Sequence, residues 1–344
     1  MIRVYVESSL RLEAPVYQLF PLLEELEKDK SAVHKVYSKT PSLANADLAL
    51  VPMSIPYLIQ KGYRKALWSF LKSCEHEGIP VLIFSGGDYG MSLPFKNVIT
   101  VRLGGFDSSL DENTFIMPPF IDDPYTVLNK EPSLLDLSIP PTIGFVGHSN
   151  GSLAKLFKEY FSFLKGNLQR LTGMDPTDSQ NFYPSSSRRF RYLKMLEADS
   201  NLETNFIHRQ KYRAGESKES GRTNTQKEFY LNMESNLYTF CIRGTGNFSA
   251  RFYETLAMGR IPLVLDTDCR LPFGHRIDWV KHIVRVPERE VRQLSSHLLD
   301  FHETLAEEST WEIQQANRSL WEKFFQKDSF FLNLHDDLQS KLQI

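Results

Sequence analysis

The sequence predicts an α/β protein made of two Rossmann-like domains that face each other across a cleft. Apolar segments of strand length alternate with segments of helical periodicity, a proline-rich segment interrupts that alternation, and the alternation then resumes. Repeated strand–helix–strand units form parallel sheets with helices on their faces. The length of 344 residues suits about two such domains.

In the first third, the sequence predicts strands over Ile2–Val6, Ala46–Val51, Ile79–Phe84 and Asn97–Leu103, with helices over Val16–Lys28 and Tyr63–His76. In the second half it predicts strands over Thr142–Val146, Asn205–His208, Leu237–Ile242 and Ile261–Leu265, with helices over Gln226–Glu234 and Ser249–Met258. The segment from Ser295 to Leu342 is predicted to be helical. Arg213–Asn224, glycine-rich and charged, is predicted to be a mobile loop.

Prolines are dense between Met117 and Pro141, and this density predicts a linker. The predicted division is a first domain over 1–125, a linker over 126–141, a second domain over 142–325, and a C-terminal helix over 326–344 that packs back on the first domain. In open parallel sheets, ligands bind beyond the carboxyl ends of the strands. Residues that directly follow strands are therefore the candidate site residues.

The composition is that of a soluble globular protein. The formal net charge is −2, so no overall basic field attracts nucleic acid. The three cysteines are widely spaced and match no zinc or disulfide pattern. No apolar run reaches the ~18 residues of a spanning helix, and the start is not that of a signal peptide. We predict a cytoplasmic protein, and peripheral work at the inner face of a membrane stays open.

A glycine-rich turn follows the predicted strand that ends at Ile242. Gly244 and Gly246 allow a close backbone approach to an anion and left-handed dihedral angles. Asn247 or Ser249 is able to cap the next helix, whose positive end attracts negative charge. Such a turn is typical of a phosphate site.

Charged side chains flank this turn. Arg243 and Arg251 are suited to charge-assisted contacts with phosphate. Glu254 lies three residues beyond Arg251 on the same helix face, where a carboxylate is able to accept hydrogen bonds from ribose hydroxyls. The spacing favours a nucleotide-diphosphate ligand. The alternative is an Arg251–Glu254 ion pair on a solvated face.

The same turn also approaches the dinucleotide fingerprint, because Asp266 follows Gly244-x-Gly246-x-x-Ser249 by about twenty residues. An NAD-dependent oxidoreductase is therefore an alternative. Against it, Ser249 occupies the third glycine position, and the turn comes late in its domain.

The motif around the turn resembles the signature of exostosin-type glycosyltransferases, glycosyltransferase family 47. Shorter segments upstream resemble other parts of that family in the same order, and the resemblance is dense over 117–273. An Asp88-containing turn is similar to the family's Gly-Arg-Asp-His element, although its arginine and histidine are absent. The matching segments are Arg243-Gly244-x-Gly246-x-x-Ser249-x-Arg251-Phe252-x-Glu254, Gly259-x-Ile261-Pro262, Leu271-Pro272-Phe273, Met117–Phe120, Pro141–Gly147, Tyr230–Cys241 and Ser85–Asp88.

The resemblance implies a GT-B architecture and an inverting transfer of sugar from a nucleotide-diphosphate donor to a glycan or lipid-linked acceptor. It also implies that Arg243, Ser249 and Arg251 hold the diphosphate and that Glu254 holds the ribose. The second domain then binds the donor, and the first presents the acceptor and the base. No cofactor and no divalent metal are expected. Surface polysaccharide synthesis is the expected role, and a non-catalytic nucleotide-sugar or glycan-binding module is the remaining alternative.

An inverting transfer needs a base that removes the proton of the acceptor hydroxyl. Asp88, in a turn with three glycines, and Glu7, just after the first strand, are the candidates. An ordinary turn and a surface carboxylate are the respective alternatives. His148 follows a strand and is predicted to contact donor or acceptor, or to cap the next helix.

One acidic pattern and two basic clusters allow more than one interpretation. Asp266-Thr267-Asp268 matches a metal-binding Asp-x-Asp pair, although strand capping or contact with a sugar hydroxyl is favoured. The basic cluster His208–Arg213, which contains Arg209, is predicted to close over the donor. The Arg188–Arg191 cluster is predicted to be a solvated face.

Overall fold

The structure, a computed structural model, describes residues 1–209 and 219–342, with the backbone alone over 219–223. It contains two separate sheets, each formed only by parallel strand pairs. The prediction of two Rossmann-like α/β domains is confirmed. Half of the predicted mobile loop, 213–218, lies outside the described residues, and the other half, 219–224, begins a helix instead.

The N-terminal sheet has six strands in the order β2-β1-β3-β4-β5-β6. Strand β4 is buried along its whole length, as expected for a parallel strand with helices on both faces. The strands are β1 (Ile2–Val6), β2 (Tyr37–Thr40), β3 (Leu48–Leu50), β4 (Val81–Ser85), β5 (Val98–Arg102) and β6 (Thr114–Ile116), and the helices are α1 (Pro21–Glu27), α2 (Ile55–Gln60) and α3 (Arg64–His76).

The helix predicted over Val16–Lys28 is wrong in its first half. The chain forms a short 3-10 turn over Val16–Gln18, and α1 begins at Pro21. Proline fits the first position of a helix but cannot continue one, because it lacks the N–H group.

The C-terminal sheet has five strands in the order β11-β10-β9-β7-β8. Both long helices that precede β8 are absent from the sequence prediction. The strands are β7 (Thr142–His148), β8 (Glu203–Arg209), β9 (Tyr238–Cys241), β10 (Ile261–Asp266) and β11 (Val284–Pro287), and the helices are α4 (Pro124–Leu128), α5 (Leu153–Leu171), α6 (Ser185–Glu197), α7 (Glu219–Glu234), α8 (Ala250–Ala257), α9 (Leu294–Glu303), α10 (Glu307–Phe324) and α11 (Lys327–Leu342).

The chain crosses to the C-terminal domain before α4. Tyr125, in α4, donates a hydrogen bond to the Met258 carbonyl and is buried with Tyr230 of α7. Asp123 caps α4 and pairs with Arg318 of α10. Helix α4 straddles the predicted boundary between 125 and 126, and these contacts assign all of it to the C-terminal domain.

Helix α11 packs on the N-terminal domain. Its Phe331 lies in one core cluster with Phe20 and Tyr37, and the Tyr37 hydroxyl donates to the Phe331 carbonyl at 3.0 Å. Lys327 forms an ion pair with Glu24 of α1 at 3.0 Å. The last helix therefore completes the core of the first domain.

A seam of polar contacts joins the loops at one side of the two sheets. Asn247 is buried and donates from Nδ2 to the carbonyls of Gly105 and Asp268. Arg270 binds Asp107 in the same N-terminal loop, with Nε 2.5 Å from the carboxylate. This domain seam fixes the separation of the two domains at that edge.

Across residues 1–209 and 219–342, no helix combines the length and the apolar character needed to span a bilayer.

Candidate functional site

A cavity of about 840 Å³ lies between the domains, beyond the carboxyl ends of strands of both sheets. Its lining includes most of the site residues that the sequence predicts, which come from loops far apart in the chain. They are Asp88, His148, Arg209, Gly244, Gly246, Ser249, Arg251 and Glu254. Glu7 and Arg243 do not line it. We refer to this cavity as the interdomain cleft.

Arg251, in the first turn of α8, forms part of the cleft wall. Its guanidinium stacks on the ring of Phe145 at 4.1 Å and donates from Nη2 to the Val146 carbonyl at 2.7 Å. Its Nε atom is buried and has no hydrogen-bond partner among the described residues. Burial lowers the pKa of Arg251 below its usual value. The geometry leaves donor capacity for a ligand.

Arg189 is a further cleft residue, and the prediction of a solvated face for its cluster is wrong at this position. It donates to the carbonyls of His148, at 2.7 Å, and Arg243, at 3.2 Å. Its Nε atom is also buried without a partner in the described chain. Burial, assisted by the neighbouring charge of Arg251, lowers the pKa of Arg189 to about 10.

Arg243 is directed away from the cleft, unlike the neighbouring turn. Its guanidinium lies between the rings of Tyr183, at 4.6 Å, and Phe106, at 5.2 Å. It donates from Nη2 to Gln180 at 2.6 Å, and its Nε is buried without a partner in the described chain. Its carbonyl, rather than its charge, faces Arg189. The structure therefore offers no direct support for Arg243 as a diphosphate ligand.

The three arginines leave positive charge unbalanced beside the cleft. Within residues 1–209 and 219–342, no carboxylate oxygen lies within 4.0 Å of the guanidinium of Arg189, Arg243 or Arg251. Arg209 differs, because it forms an ion pair with Glu228 and donates to the Thr225 carbonyl. Buried charges are normally paired, so Arg189 and Arg251 form a site that an anion would complete.

The two glycines of the turn have different roles, and the predicted left-handed dihedral angles are absent at both. A side chain at Gly246 would collide with the Asp88 carbonyl oxygen and with the Phe248 ring. Gly246 is therefore required by the contact between the domains. Gly244 has no other group within 4 Å of the position of a Cβ atom, so its open side faces the cleft.

Ser249 occupies the cap position of α8, with extended backbone, yet its hydroxyl makes no capping hydrogen bond. Asn247, the other predicted cap, is used in the domain seam. Its Oδ1 accepts from Thr267, and its amide donates to the seam carbonyls. The Ser249 hydroxyl and the first N–H groups of α8 consequently remain at the cleft wall.

Three carboxylates line the cleft. Burial raises the pKa of Glu254 to about 7, and the charge of Arg251 opposes this shift. Burial also raises the pKa of Asp88 above its usual value. Asp122, which the sequence reasoning missed, is exposed at the cleft edge, just after the Met117–Phe120 segment. Its position three residues after the proline pair, Pro118-Pro119, was the available signal.

Glu7 lies outside this group of carboxylates. Its side chain accepts hydrogen bonds from the backbone N–H and the hydroxyl of Ser9, at 3.2 and 2.6 Å, and from Tyr5. It caps a short 3-10 turn. The structure therefore supports the surface-carboxylate alternative for Glu7.

The carboxylates of the Asp-x-Asp pair make internal contacts. Asp266 accepts from the Cys269 N–H and pairs with Arg285 at 2.8 Å. Asp268 accepts from the Ser108 hydroxyl at 2.5 Å, across the domain seam. Neither aspartate lines the cleft. In the described part of the chain, no group of three or more His, Cys, Asp or Glu side chains is arranged to hold a metal ion.

Comparison with known proteins agrees with the resemblance described above. Residues 159–300 match the family model of the Exostosin GT47 domain. Drosophila melanogaster exostosin-1 is 34% identical over 89 residues, which are 25% of this chain and 11% of the relative. Human exostosin-2 is 31% identical over 90 residues, covering 26% and 12% of the two chains. A probable glucuronosyltransferase of Oryza sativa subsp. japonica is 28% identical over 83 residues, covering 23% and 19%.

The predicted similarity to exostosin-type glycosyltransferases is confirmed by these matches. The aligned part covers less than a fifth of each of these relatives. Among solved structures, a glycosyltransferase from Rickettsia africae aligns over 97% of both chains with a TM-score of 0.41 and 12% identity. TarM aligns over 84% of this chain and 54% of its own, with a TM-score of 0.37 and 10% identity.

Proposed function

We propose that this chain, whose residues 159–300 carry an exostosin-type domain, is an inverting glycosyltransferase. It moves a sugar from a nucleotide-diphosphate donor to a glycan or lipid-linked acceptor, in the synthesis of a surface polysaccharide. It works in the cytoplasm with peripheral contact at a membrane, and it needs no metal ion.

The observation that carries the proposal is the pair of under-bonded guanidinium groups, Arg189 and Arg251, at one wall of the cleft. Both have a buried Nε without a partner, and neither has a carboxylate within 4.0 Å in the described chain. A diphosphate would supply the missing acceptors and the missing negative charge. The N-terminus of α8 and the unused Ser249 hydroxyl lie at the same wall.

This arrangement also suits the chemistry of transfer. The acceptor oxygen attacks the anomeric carbon, the bond from that carbon to the diphosphate oxygen breaks, and the leaving diphosphate gains negative charge. Arg189 and Arg251 stabilise that developing charge more strongly than the ground state. Glu254 accepts hydrogen bonds from the ribose hydroxyls, which favours its ionised form.

The base of this reaction is Asp88, on the opposite wall. It lines the cleft from the N-terminal domain, and its backbone lies against Gly246 of the phosphate turn. A carboxylate whose pKa is raised by burial is a stronger base than an ordinary one. Asp122, at the cleft edge, is the second candidate for this role.

The alternative function, an NAD-dependent oxidoreductase, requires an acidic residue that contacts the ribose in the cleft. An NAD ribose would need Asp266, but this carboxylate pairs with Arg285 and lies outside the cleft lining. A thermal-shift panel separates the two functions. We expect a UDP- or GDP-sugar to raise the melting temperature, and a CMP-sugar, which has no diphosphate, and NAD(H) to leave it unchanged. Stabilisation by NAD(H) alone would overturn the proposal.

Donor hydrolysis and transfer test whether the site is catalytic. We expect Asp88→Asn to reduce turnover about 100-fold or more while the donor affinity in calorimetry stays unchanged. Glu7→Gln serves as the matched control at a carboxylate outside the cleft, and a loss of turnover in Asp122→Asn but not in Asp88→Asn would assign the base to Asp122. A wild-type protein that binds donor but neither hydrolyses nor transfers it would indicate a binding module. Activity abolished by EDTA and restored by manganese would contradict metal independence.

A further inference from the structure

Helix α5, Leu153–Leu171, turns its apolar side chains toward solvent. Not one residue of this helix is fully buried. Leu153 is 71% exposed, Phe161 is 66% exposed, and Leu171 is 85% exposed. The exposed apolar residues of the helix are Leu153, Phe157, Tyr160, Phe161, Leu164, Leu168 and Leu171. We call this set the α5 stripe.

The α5 stripe occupies one continuous face. Its members recur at intervals of three and four residues, which places them on one side of a helix with 3.6 residues per turn. The rest of the helix contacts the protein: Phe163 packs on Phe182 at 5.3 Å, as does Tyr160 at the edge of the stripe, and one carboxylate oxygen of Glu159 is buried. A surface helix normally buries its apolar face, so the orientation here requires an external apolar partner.

The charged residues along the helix indicate the chemical nature of this partner. Lys158 and Lys165 are exposed, and both lie along one border of the α5 stripe. Neither forms an ion pair with the described residues, whereas the inward Lys155 pairs with Glu159 at 3.5 Å. An aromatic and leucine-rich face bordered by lysine is the pattern of helices that lie in the surface of an anionic bilayer.

The position of α5 links this surface to the cleft. The helix begins just after His148, which lines the cleft. At its other end, Arg170 stacks on the ring of Tyr89 at 4.5 Å, and Tyr89 adjoins Asp88. The helix therefore reaches from the C-terminal wall of the cleft to the loop that carries the proposed base.

We propose that the α5 stripe docks the protein on an anionic lipid bilayer. This deepens the membrane contact of the proposed function, because it brings the cleft to a lipid-linked acceptor, but vesicle binding itself needs no glycosyl transfer. A second copy of the chain fits less well. A stable protein interface uses about 20–30 residues a side, and the stripe is one narrow helix face.

Vesicle co-sedimentation tests the docking surface. The full chain is mixed, without nucleotide, with phosphatidylcholine vesicles that contain or lack phosphatidylglycerol. We expect binding that is at least tenfold stronger with phosphatidylglycerol. Phe157→Glu with Phe161→Glu should abolish it, and Lys158→Glu with Lys165→Glu should remove only the preference for phosphatidylglycerol. Val280→Glu is the matched control, since Val280 is 80% exposed on another element.

Several outcomes would overturn the proposal. The first is that the stripe variants bind vesicles with the same affinity as the wild type. Another is a wild-type protein that does not bind vesicles but forms a dimer in sedimentation velocity, while the Phe157/Phe161 variant stays monomeric. That result would assign the stripe to an interface with a second copy of the chain. Circular dichroism and UDP calorimetry on every variant separate these results from misfolding and from failure of the nucleotide site.

Discussion

Two buried arginines at the two ends of α8 are bonded in opposite ways. Arg260, just after the helix, donates to the Ser133 carbonyl at 2.9 Å, to the Glu234 carbonyl at 2.8 Å and to Gln314 at 3.1 Å. Arg251, in the first turn, has one hydrogen bond from Nη2 and a buried Nε without a partner in the described chain. Burial lowers the pKa of both. Both arginines are therefore buried, and the number of satisfied donors distinguishes the structural Arg260 from Arg251, the arginine that we propose binds the donor.

The contrast extends to the surroundings. Arg260 ties the linker to α7 and α10, because Ser133 belongs to the linker, Glu234 to α7 and Gln314 to α10. Arg251 contacts one carbonyl and two aromatic rings. A fully bonded arginine contributes to the architecture, and an under-bonded one in a cleft is available to an anion.

Arg260→Ala has the largest expected effect. Its loss leaves several buried carbonyls without donors, so we expect the free energy of unfolding to fall by about 3 kcal/mol or more. Urea denaturation measures this, with Arg251→Ala as the matched control. A loss of stability in Arg251→Ala equal to that in Arg260→Ala would erase the distinction.

Arg251→Ala should act on the ligand instead. We expect the affinity for UDP or the preferred nucleoside diphosphate to fall by about 2–3 kcal/mol, since a charge-assisted hydrogen bond is lost. Arg251→Lys should recover only part of this affinity, because an ammonium lacks the planar fork. Calorimetry measures both, and unchanged affinity in the alanine variant would refute the assignment.

The two glycines of the turn sharpen the same distinction. Gly246→Ala introduces a methyl group against Asp88 and Phe248, and we expect it to cost about 1–3 kcal/mol of stability. Gly244→Ala meets open space and should leave stability within about 0.5 kcal/mol of wild type. Thermal denaturation of the pair tests this, and equal losses would contradict the seam contact.

Glu254→Gln should have the smallest effect, visible as a change in pH dependence. The pKa of Glu254 in the free protein is raised to about 7. Ribose hydroxyls donate best to the ionised carboxylate, so nucleotide affinity in the wild type should rise several-fold as the pH rises through about 7. The glutamine variant should lack this rise in calorimetry.

The stability of the free protein should change with pH in the direction opposite to the nucleotide affinity. The unfolded chain loses the Glu254 proton near 4.5, and the folded protein keeps it to about 7. Stability should therefore fall as the pH rises through that window and level off above it. Denaturation curves of wild type and Glu254→Gln measure this contribution. Parallel curves at all pH values would contradict the raised pKa.

The fold class could be predicted from the sequence because strands that are buried on both faces, such as β4, appear in it as continuous apolar runs. Strands β2, β6 and β11 were not predicted because three or four residues are too few to establish a periodicity. Helix α5 was missed although its apolar residues recur at helical intervals, and that periodicity was the available signal.

The site was less predictable in its details because long-range contacts decide them. The direction of Arg243 depends on Tyr183 and Phe106, which are remote in the sequence. Gly246 is required by the backbone of Asp88, and Arg189 is held by the carbonyls of His148 and Arg243, which are remote from it in the sequence. A motif identifies residue types at a turn, but the partner domain determines which way each side chain points.

The packing of α11 has a consequence for synthesis on the ribosome. The N-terminal sheet is translated first, yet Phe331 and Leu334 belong to the same buried core as Phe20 and Tyr37. The first domain to emerge is therefore the last to be finished. We expect protease to digest the N-terminal half of a nascent chain that is halted at residue 300. After the whole polypeptide is released, both halves should become resistant to protease at the same time.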